Sequence, residues 1–457
     1  MTADTRDEVA ADRFRRRRLR SALLQGDPDS PKTPLARLGA GVYGGLAVAV
    51  LLLAVAGTYG VLRPGGSTAW QEPGAFVVDD DTGARYVYLD GVLHPVLNYA
   101  SARLLLGDGL HVVTVSTASL DPAVRGPMIG IPGAPDSLPD AAHITGADWS
   151  VCAVGRAADG RVMHTEIRPG VAATGTSVGE DAGYLVRTES GRTFLIWSGQ
   201  AHEIPEQWLA ALNYRTADPV EVQESFVSAL PAGEPLEPPG IAGLGEPGPT
   251  LPGSLQPTIV GTIYADRTNA FYVMTRDGLA SLTPMQAQLL LADPALNVAY
   301  PGSGPTPLKV SQAQVTEAAP APLPAPAGES LAAAPAQAPT LQSLPPGEQQ
   351  LCARHLGVAG PDLATGTSES AGAASTGTVR LAPGTGSLIA ERPGAQNTGS
   401  TVYLVTDTGV RYPLSGQRAV EALGLAMAPV AQLPPELIAA LPVGPTLDPA
   451  DAAAPAS

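Results

Sequence analysis

The hydrophobic pattern opens with one unbroken block. Leu38 to Leu62, LGAGVYGGLAVAVLLLAVAGTYGVL, runs 25 residues without a charge. As a helix it measures about 37 Å, enough to cross a bilayer with some tilt. Beyond it the period changes. GARYVYLDGVLHPVLNYASARLLLG, Gly83 to Gly107, alternates aromatic and apolar residues as far as Asp90-Gly91, then takes helical spacing and stops on glycine. Alternation predicts a half-buried strand, Asp-Gly a tight hairpin, and the later spacing a helix.

The same grammar returns three times. GRTFLIWSGQAHEIPEQWLAALN (Gly191 to Asn213) turns at Ser198-Gly199, and Ala270 to Asp293 turns at Asp277-Gly278. STVYLVTDTGVRYPLSGQRAVEALG (Ser400 to Gly424) turns at Thr408-Gly409. Asn98, Thr283 and Ser415 stand where helix N-caps belong, and Pro284 sits where its missing N–H costs nothing. A hairpin with one helix cannot bury its apolar face alone, so such units must stack or share a surface.

The repeats are also paired. The second and fourth end in ALPAGEPLEP (Ala229 to Pro238) and ALPVGPTLDP (Ala440 to Pro449), whereas the first and third run into STASL (Ser116 to Leu120) and SQAQV (Ser311 to Val315). Within each pair lie an SLP and then a cysteine, Cys152 or Cys352. This order predicts a duplication with pseudo-twofold symmetry, its halves joined by a Pro/Gly-rich stretch at 239–257. The expected plan is an arm at 1–37, a span at 38–62, repeat one at 83–119 and a central segment at 120–183. Repeat two at 184–240, repeat three at 258–300, a second central segment at 301–400 and repeat four at 401–450 complete it. Val315 to Pro346 is Ala/Pro-rich and reads as an extended surface excursion, and the chain past Pro449 as a frayed tail.

Charge gives the topology. Residues 1–37 hold nine Arg/Lys, six of them in RFRRRRLR (Arg13 to Arg20), and only Arg63 closely follows the span. This asymmetry places the N-terminus in the cytoplasm and the rest outside, a single-pass protein of the cell membrane. The arm carries +3 and residues 63–457 carry −19. Such an exterior excludes nucleic acid as a partner, while the arm should lie against anionic headgroups. The arginine run reads first as a topology signal. A sharper reading is a short amphipathic helix, with Phe14, Leu19, Leu23 and Leu24 on one side. It would grip a partner through Arg13, Phe14, Arg15, Arg16, Arg17, Arg18, Leu19 and Arg20.

Cys152 and Cys352 are the only cysteines. In symmetric halves they meet only near the pseudo-axis, and outside the membrane they would oxidise. A Cys152–Cys352 bridge is expected, with two free thiols or a metal site as alternatives. Other chemical motifs fall away. Gly175-Thr176-Ser177-Val178-Gly179 matches a nucleophile elbow but lacks the flanking strand and helix. Gly243 to Gly248 matches a dinucleotide fingerprint, yet PTLPGSLQP follows where a helix must start. Cys352-Ala353-Arg354-His355 could pair thiol and imidazole only if Cys352 were free. Lys32 and Lys309, the only lysines, have no P-loop glycine before them. The six histidines lack ligand spacing, Asp79-Asp80-Asp81 reads as an acidic turn, and Trp149, Trp197 and Trp208 as core anchors. No catalytic, cofactor or metal residue is predicted.

Taken together, RFRRRRLR, the single anchor, the repeated paragraph and the two distant cysteines resemble the EccB family of type VII (ESX) secretion. The resemblance covers roughly residues 10–450. It implies an α+β, elongated external region in which four repeats flank a central disulfide-bridged β-rich domain. It also implies self-association and a place beside EccC-like, EccD-like and EccE-like subunits, with ATP hydrolysed by the EccC-like motor. Some members are described as ATPases; this chain lacks the Walker lysine. Its Ala/Pro-rich insertion also departs from the family pattern. A structural subunit of the export machinery is the reading that follows. The rivals are a weak ATPase of the same complex and a cell-wall or peptide-binding module.

Overall fold

The computed structural model describes residues 3–26, 35–62, 67–155, 163–170, 175–323, 333–344, 350–356, 361–366, 379–392 and 401–456. They form a mixed α+β molecule of two compact units. The first unit is Met1–Glu72, Val78–Ala84 and Val113–Ala123. It holds α1 (Ala3–Gln25) and α2 (Leu35–Leu62). The 28 residues of α2 reach about 42 Å. Its stretch Gly41–Thr58 is apolar enough to cross a membrane and is nowhere buried by protein. Thr58 hides its hydroxyl by donating to the Ala54 carbonyl at 2.6 Å.

Along the chain follow β1 (Ala75–Asp79), β2 (Arg85–Leu89), β3 (Val92–Pro95), α3 (Tyr99–Leu106), β4 (His111–Val115) and α4 (Thr117–Leu120). Next come β5 (Asp148–Val154), β6 (His164–Pro169) and β7 (Thr176–Ser177). A second run of the first pattern is β8 (Ala182–Thr188), β9 (Thr193–Trp197), β10 (Gln200–Glu203), β11 (Val220–Val222) and α5 (Glu224–Ser228). The third is β12 (Ile263–Ala265), β13 (Phe271–Met274), β14 (Leu279–Leu282), α6 (Pro284–Ala292), β15 (Leu308–Lys309) and α7 (Gln312–Glu317). After β16 (Thr340–Gln342), β17 (Gln350–Leu356) and β18 (Pro361–Gly366), the fourth is β19 (Gly386–Glu391), β20 (Val402–Thr406), β21 (Arg411–Pro413), α8 (Gln417–Ala422), β22 (Val430–Leu433) and α9 (Pro435–Ala439). The helix α10 (Pro449–Ala453) closes the series.

Four sheets have one strand order: β3-β2-β1-β4, β10-β9-β8-β11, β14-β13-β12-β15 and β21-β20-β19-β22. In the last three the hairpin is antiparallel and the fourth strand runs parallel to the first. Each sheet starts one strand before the alternating paragraph of the sequence. Those first strands are buried on nearly every residue, as in AFVVD of β1 and GSLIAE of β19, so no alternation marks them. A closing segment then returns to the second hairpin strand in all four. The N–H groups of Leu93, Ala201, Leu279 and Arg411 donate to the carbonyls of Val124, Pro231, Ala319 and Pro442 at 2.8–3.0 Å. The sequence divided the repeats by their endings, yet all four have both a short helix and this returning strand. TASL, ESFVS, QAQVTE and PELIA are too short for periodicity to register.

Several local expectations change. Asn98 and Thr283 cap α3 and α6 as expected, Thr283 within a full capping box. The cap of α8 is Gly416 at φ 139° rather than Ser415, whose N–H goes to the Leu447 carbonyl. After β10 the chain makes only a 3-10 turn, Glu206–Trp208, where a helix was expected. The tail past Pro449 is docked: Ala452 is fully buried and the Ala456 N–H donates to Met128 at 2.8 Å. The described part of the Ala/Pro-rich stretch at 333–344 is no mere excursion, because β16 pairs parallel with β8 and Leu341 packs on an apolar core; residues 324–332 and 345–346 of it lie outside the described residues. The joint at 239–257 also packs, with Leu251 buried against Tyr264 and Met274.

The central sheet has the order β6-β5-β17-β18-β7. Strands β5 and β17 are antiparallel with Cys152 directly opposite Cys352. One of its faces shares a core with the second and fourth sheets: Val151 and Leu351 meet Val186, Phe194, Ile389 and Val405. Two further cores cross between the halves. Leu104 of α3 packs with Leu388, Leu404 and Leu447 of the fourth sheet region. Met285 and Leu289 of α6 pack with Leu185, Leu195 and Leu236 of the second.

Candidate functional site

The midline of the central sheet joins segments about 200 residues apart. On β5 and β17, alternation sends Val151, Ala153, Leu351 and Ala353 into the large core and Cys152, Val154 and Cys352 to the other face. Both thiols are fully buried and joined, across a sequence separation of 200. Beside them, Cys152 lies opposite Glu166 on β6. The Glu166 carboxylate accepts from Arg168 at 2.8 Å and pairs with Arg380 at 3.0 Å. Arg168 also donates to Gln350 Oε1 at 3.0 Å. A carboxylate held between two guanidinium groups suits a structural clamp, and its two partners, with the Gln350 that Arg168 also reaches, come from both halves. The sequence hides this, because Arg168 is Glu166's neighbour on one strand face while Gln350 and Arg380 lie far along the chain.

The returning strands carry a second motif. His202 is fully buried, and desolvation lowers its pKa, so the neutral ring donates Nδ1–H to the Glu234 carbonyl at 2.9 Å. His94 donates likewise to Pro127 at 3.0 Å. Each ring packs closely against a glycine. A Cβ at Gly233 would stand 2.2 Å from His202 Cε1, and one at Gly126 2.3 Å from His94 Cε1. Tyr412 and Gly444 repeat the fit, with 2.3 Å to Cε1. In the third sheet region Ala321 takes the place of the glycine, its N–H donating to Leu279.

The remaining candidates are structural. Ser177 donates to Asp362, which pairs with Arg354; it stands on a two-residue strand, not an elbow. Gly243 to Gly248 is a turn whose Glu246 holds Arg276. Cys352 is bonded, so no thiol faces His355. Burial first, then Arg392, pushes the His355 pKa down to about 4. Asp79 is buried and accepts from Thr82 at 2.7 Å and Thr117 at 2.9 Å. Those bonds, Thr82's foremost, hold its carboxyl below the usual range. Trp149 and Trp208 are core, and Trp197 donates to the Glu180 carbonyl at 2.6 Å. Among the described residues no group of three potential metal ligands converges.

Arg13, Arg15, Arg16, Arg17, Arg18 and Arg20 all lie on α1 and are exposed, with Phe14 and Leu19. The expected apolar side is not continuous: at about 100° per residue Phe14 and Leu19 stand about 140° apart. A groove the sequence did not announce, of about 490 Å³, lies between Tyr214, Met285, Gln288 and Pro339. Tyr214 donates to the Pro339 carbonyl at 2.6 Å, and burial pushes its pKa up to about 12.

Comparison with known proteins gives a consistent answer. Residues 1–456 match the family model described as "Type VII secretion system ESX-1, transport TM domain B". The chain is 31% identical over 477 residues to "ESX-3 secretion system ATPase EccB3" of Mycolicibacterium smegmatis (strain ATCC 700084 / mc(2)155), covering 98% of this chain and 90% of that one. It is 30% identical over 330 residues to "ESX-2 secretion system ATPase EccB2" of Mycobacterium tuberculosis (strain ATCC 25618 / H37Rv), a match spanning 69% of this chain but only 64% of that relative's length. Among solved structures, the EccB3 dimer from the ESX-3 core complex aligns at TM-score 0.56 and 26% identity, covering 83% of this chain and all of that one. An intact ESX-5 inner membrane complex has a chain of the same fold, at TM-score 0.55 and 22% identity over 100% of this chain and 96% of that one.

Proposed function

The chain belongs to the EccB family of type VII secretion, and on that premise we propose that it is a structural subunit of the export complex in the cell membrane. Helix α2 anchors it once, α1 stays in the cytoplasm, and the acidic remainder stands outside. We infer that the body is a doubled unit. Repeat regions at 75–126, 182–233, 263–321 and 386–444 flank the central sheet, and a pseudo-twofold axis passes between Cys152 and Cys352. The crossed seats support this reading: α3 docks on the fourth region as α6 docks on the second. Self-association and contact with EccC-like, EccD-like and EccE-like subunits belong to the same proposal, as does docking of Arg13–Arg20 on the inner-face assembly.

The observation that carries the structural role is the clamp at the midline. The bridge, the Glu166 cluster and the shared core all join the halves. The named relatives carry "ATPase" in their names; we assign hydrolysis to the EccC-like partner. Deleting residues 1–37 should release the chain from its membrane complex in mild detergent while the external body keeps its thermal transition. Unchanged co-purification would count against the docking role. Steady ATP turnover by the purified chain, lost on changing one acidic residue, would count against the structural role.

A further inference from the structure

What is sorted around α1 is charge rather than hydrophobicity. Arg6, Arg13 and Arg20 recur at seven-residue spacing, and Arg16 and Arg17 stand three and four positions beyond Arg13. At 3.6 residues per turn these five share one sector about 100° wide. Asp7, Glu8 and Asp12 fall outside it, as do Phe14, Arg15 and Arg18. At the border Asp12 pairs with Arg16 at 2.9 Å. Two exposed apolar residues accompany the arginines: Val9 within the sector and Leu23 at its edge. A stripe of guanidinium groups with interspersed aliphatic side chains suits a helix lying in a headgroup layer, the arginine stems along the acyl boundary and the acids turned to water.

Chain length keeps the stripe near such a layer. Between Gln25, which ends α1, and Leu35, which starts α2, the connection spans at most about 36 Å. We infer that the face formed by Arg6, Arg13, Arg16, Arg17 and Arg20 binds the anionic phospholipid headgroups of the cytoplasmic leaflet. The docking on the inner-face assembly then falls to the opposite face, where Arg18 lies over the Phe14 ring beside Arg15. This rests on the reading of α2 as a membrane anchor with the arm inside the cell. Each arginine removed from the stripe weakens the attachment about fivefold, and salt weakens it further.

The test places the full-length chain in nanodiscs of phosphatidylcholine, with or without phosphatidylglycerol. Spin labels are introduced one at a time at Val9→Cys (stripe), Ala11→Cys (opposite face) and Val48→Cys (within α2); both native cysteines are bridged. With phosphatidylglycerol the Val9 label should lose access to a water-soluble relaxant while the Ala11 label keeps it. In phosphatidylcholine alone both should stay accessible. Arg13→Gln, Arg16→Gln, Arg17→Gln and Arg20→Gln together should abolish the difference, and Arg15→Gln with Arg18→Gln should leave it. Shielding without anionic lipid, equal loss from both variant sets, or shielding only when other subunits are added would each overturn the assignment. A water-accessible Val48 label would instead refute the anchor on which it rests.

Discussion

At the scale of residues, fit and burial make sharp demands. The His202 ring leaves no room for a methyl at Gly233. Gly233→Ala should therefore destabilise the body by about 1–3 kcal/mol, as overpacking does. Gly304→Ala, with nothing within 4 Å of its added Cβ, should be nearly neutral, and denaturant melts compare the two. His355 gives a pH dependence. Unfolded, its imidazole titrates near the ordinary 6.5; folded, only near about 4. Between these values the unfolded chain binds the extra proton, so stability falls as pH drops from about 6.5 to about 4. Neither ring nitrogen has a hydrogen-bond partner. His355→Leu should thus keep stability at neutral pH and flatten the acid limb, read as Tm against pH. A slope unchanged by the substitution would show that another group carries it.

At the scale of elements, hairpins and capped helices were legible in the sequence while the strands beside them were not. The Asp90-Gly91 turn, Asn98 and Thr283 all announce themselves within a few residues. Strands β1, β8 and β19 are covered on both faces and so lose the alternation that identifies a strand. Strand β16 lies in a run of alanine and proline whose partner, β8, is more than 150 residues away. The midline divides the same way. Its two cysteines stand out by their scarcity, whereas Arg380 and Gln350 around Glu166 gain meaning only from register. The capping box on α6 is open to a direct test. Thr283→Ala should cost about 1 kcal/mol and loosen the first turn of α6, seen as faster amide exchange at Gln286.

At the scale of the whole molecule, the disulfide and the crossed helix seats tie segments from far apart in the chain. Reduction should lower the Tm of the external region, because the bridge closes a 200-residue separation. The loop-entropy model puts the loss at up to about 5 kcal/mol. The seats carry the larger claim, that each half leans on the far end of the other. Leu104→Ala leaves a cavity beneath α3 worth about 2–5 kcal/mol. The direct measurement is hydrogen–deuterium exchange on that variant, region by region. The account predicts faster exchange in β20, β21 and α10, which share the Leu104 core, with β9 and α6 unchanged. Exchange that quickened only between β2 and α3, or equally in all four sheets, would contradict it.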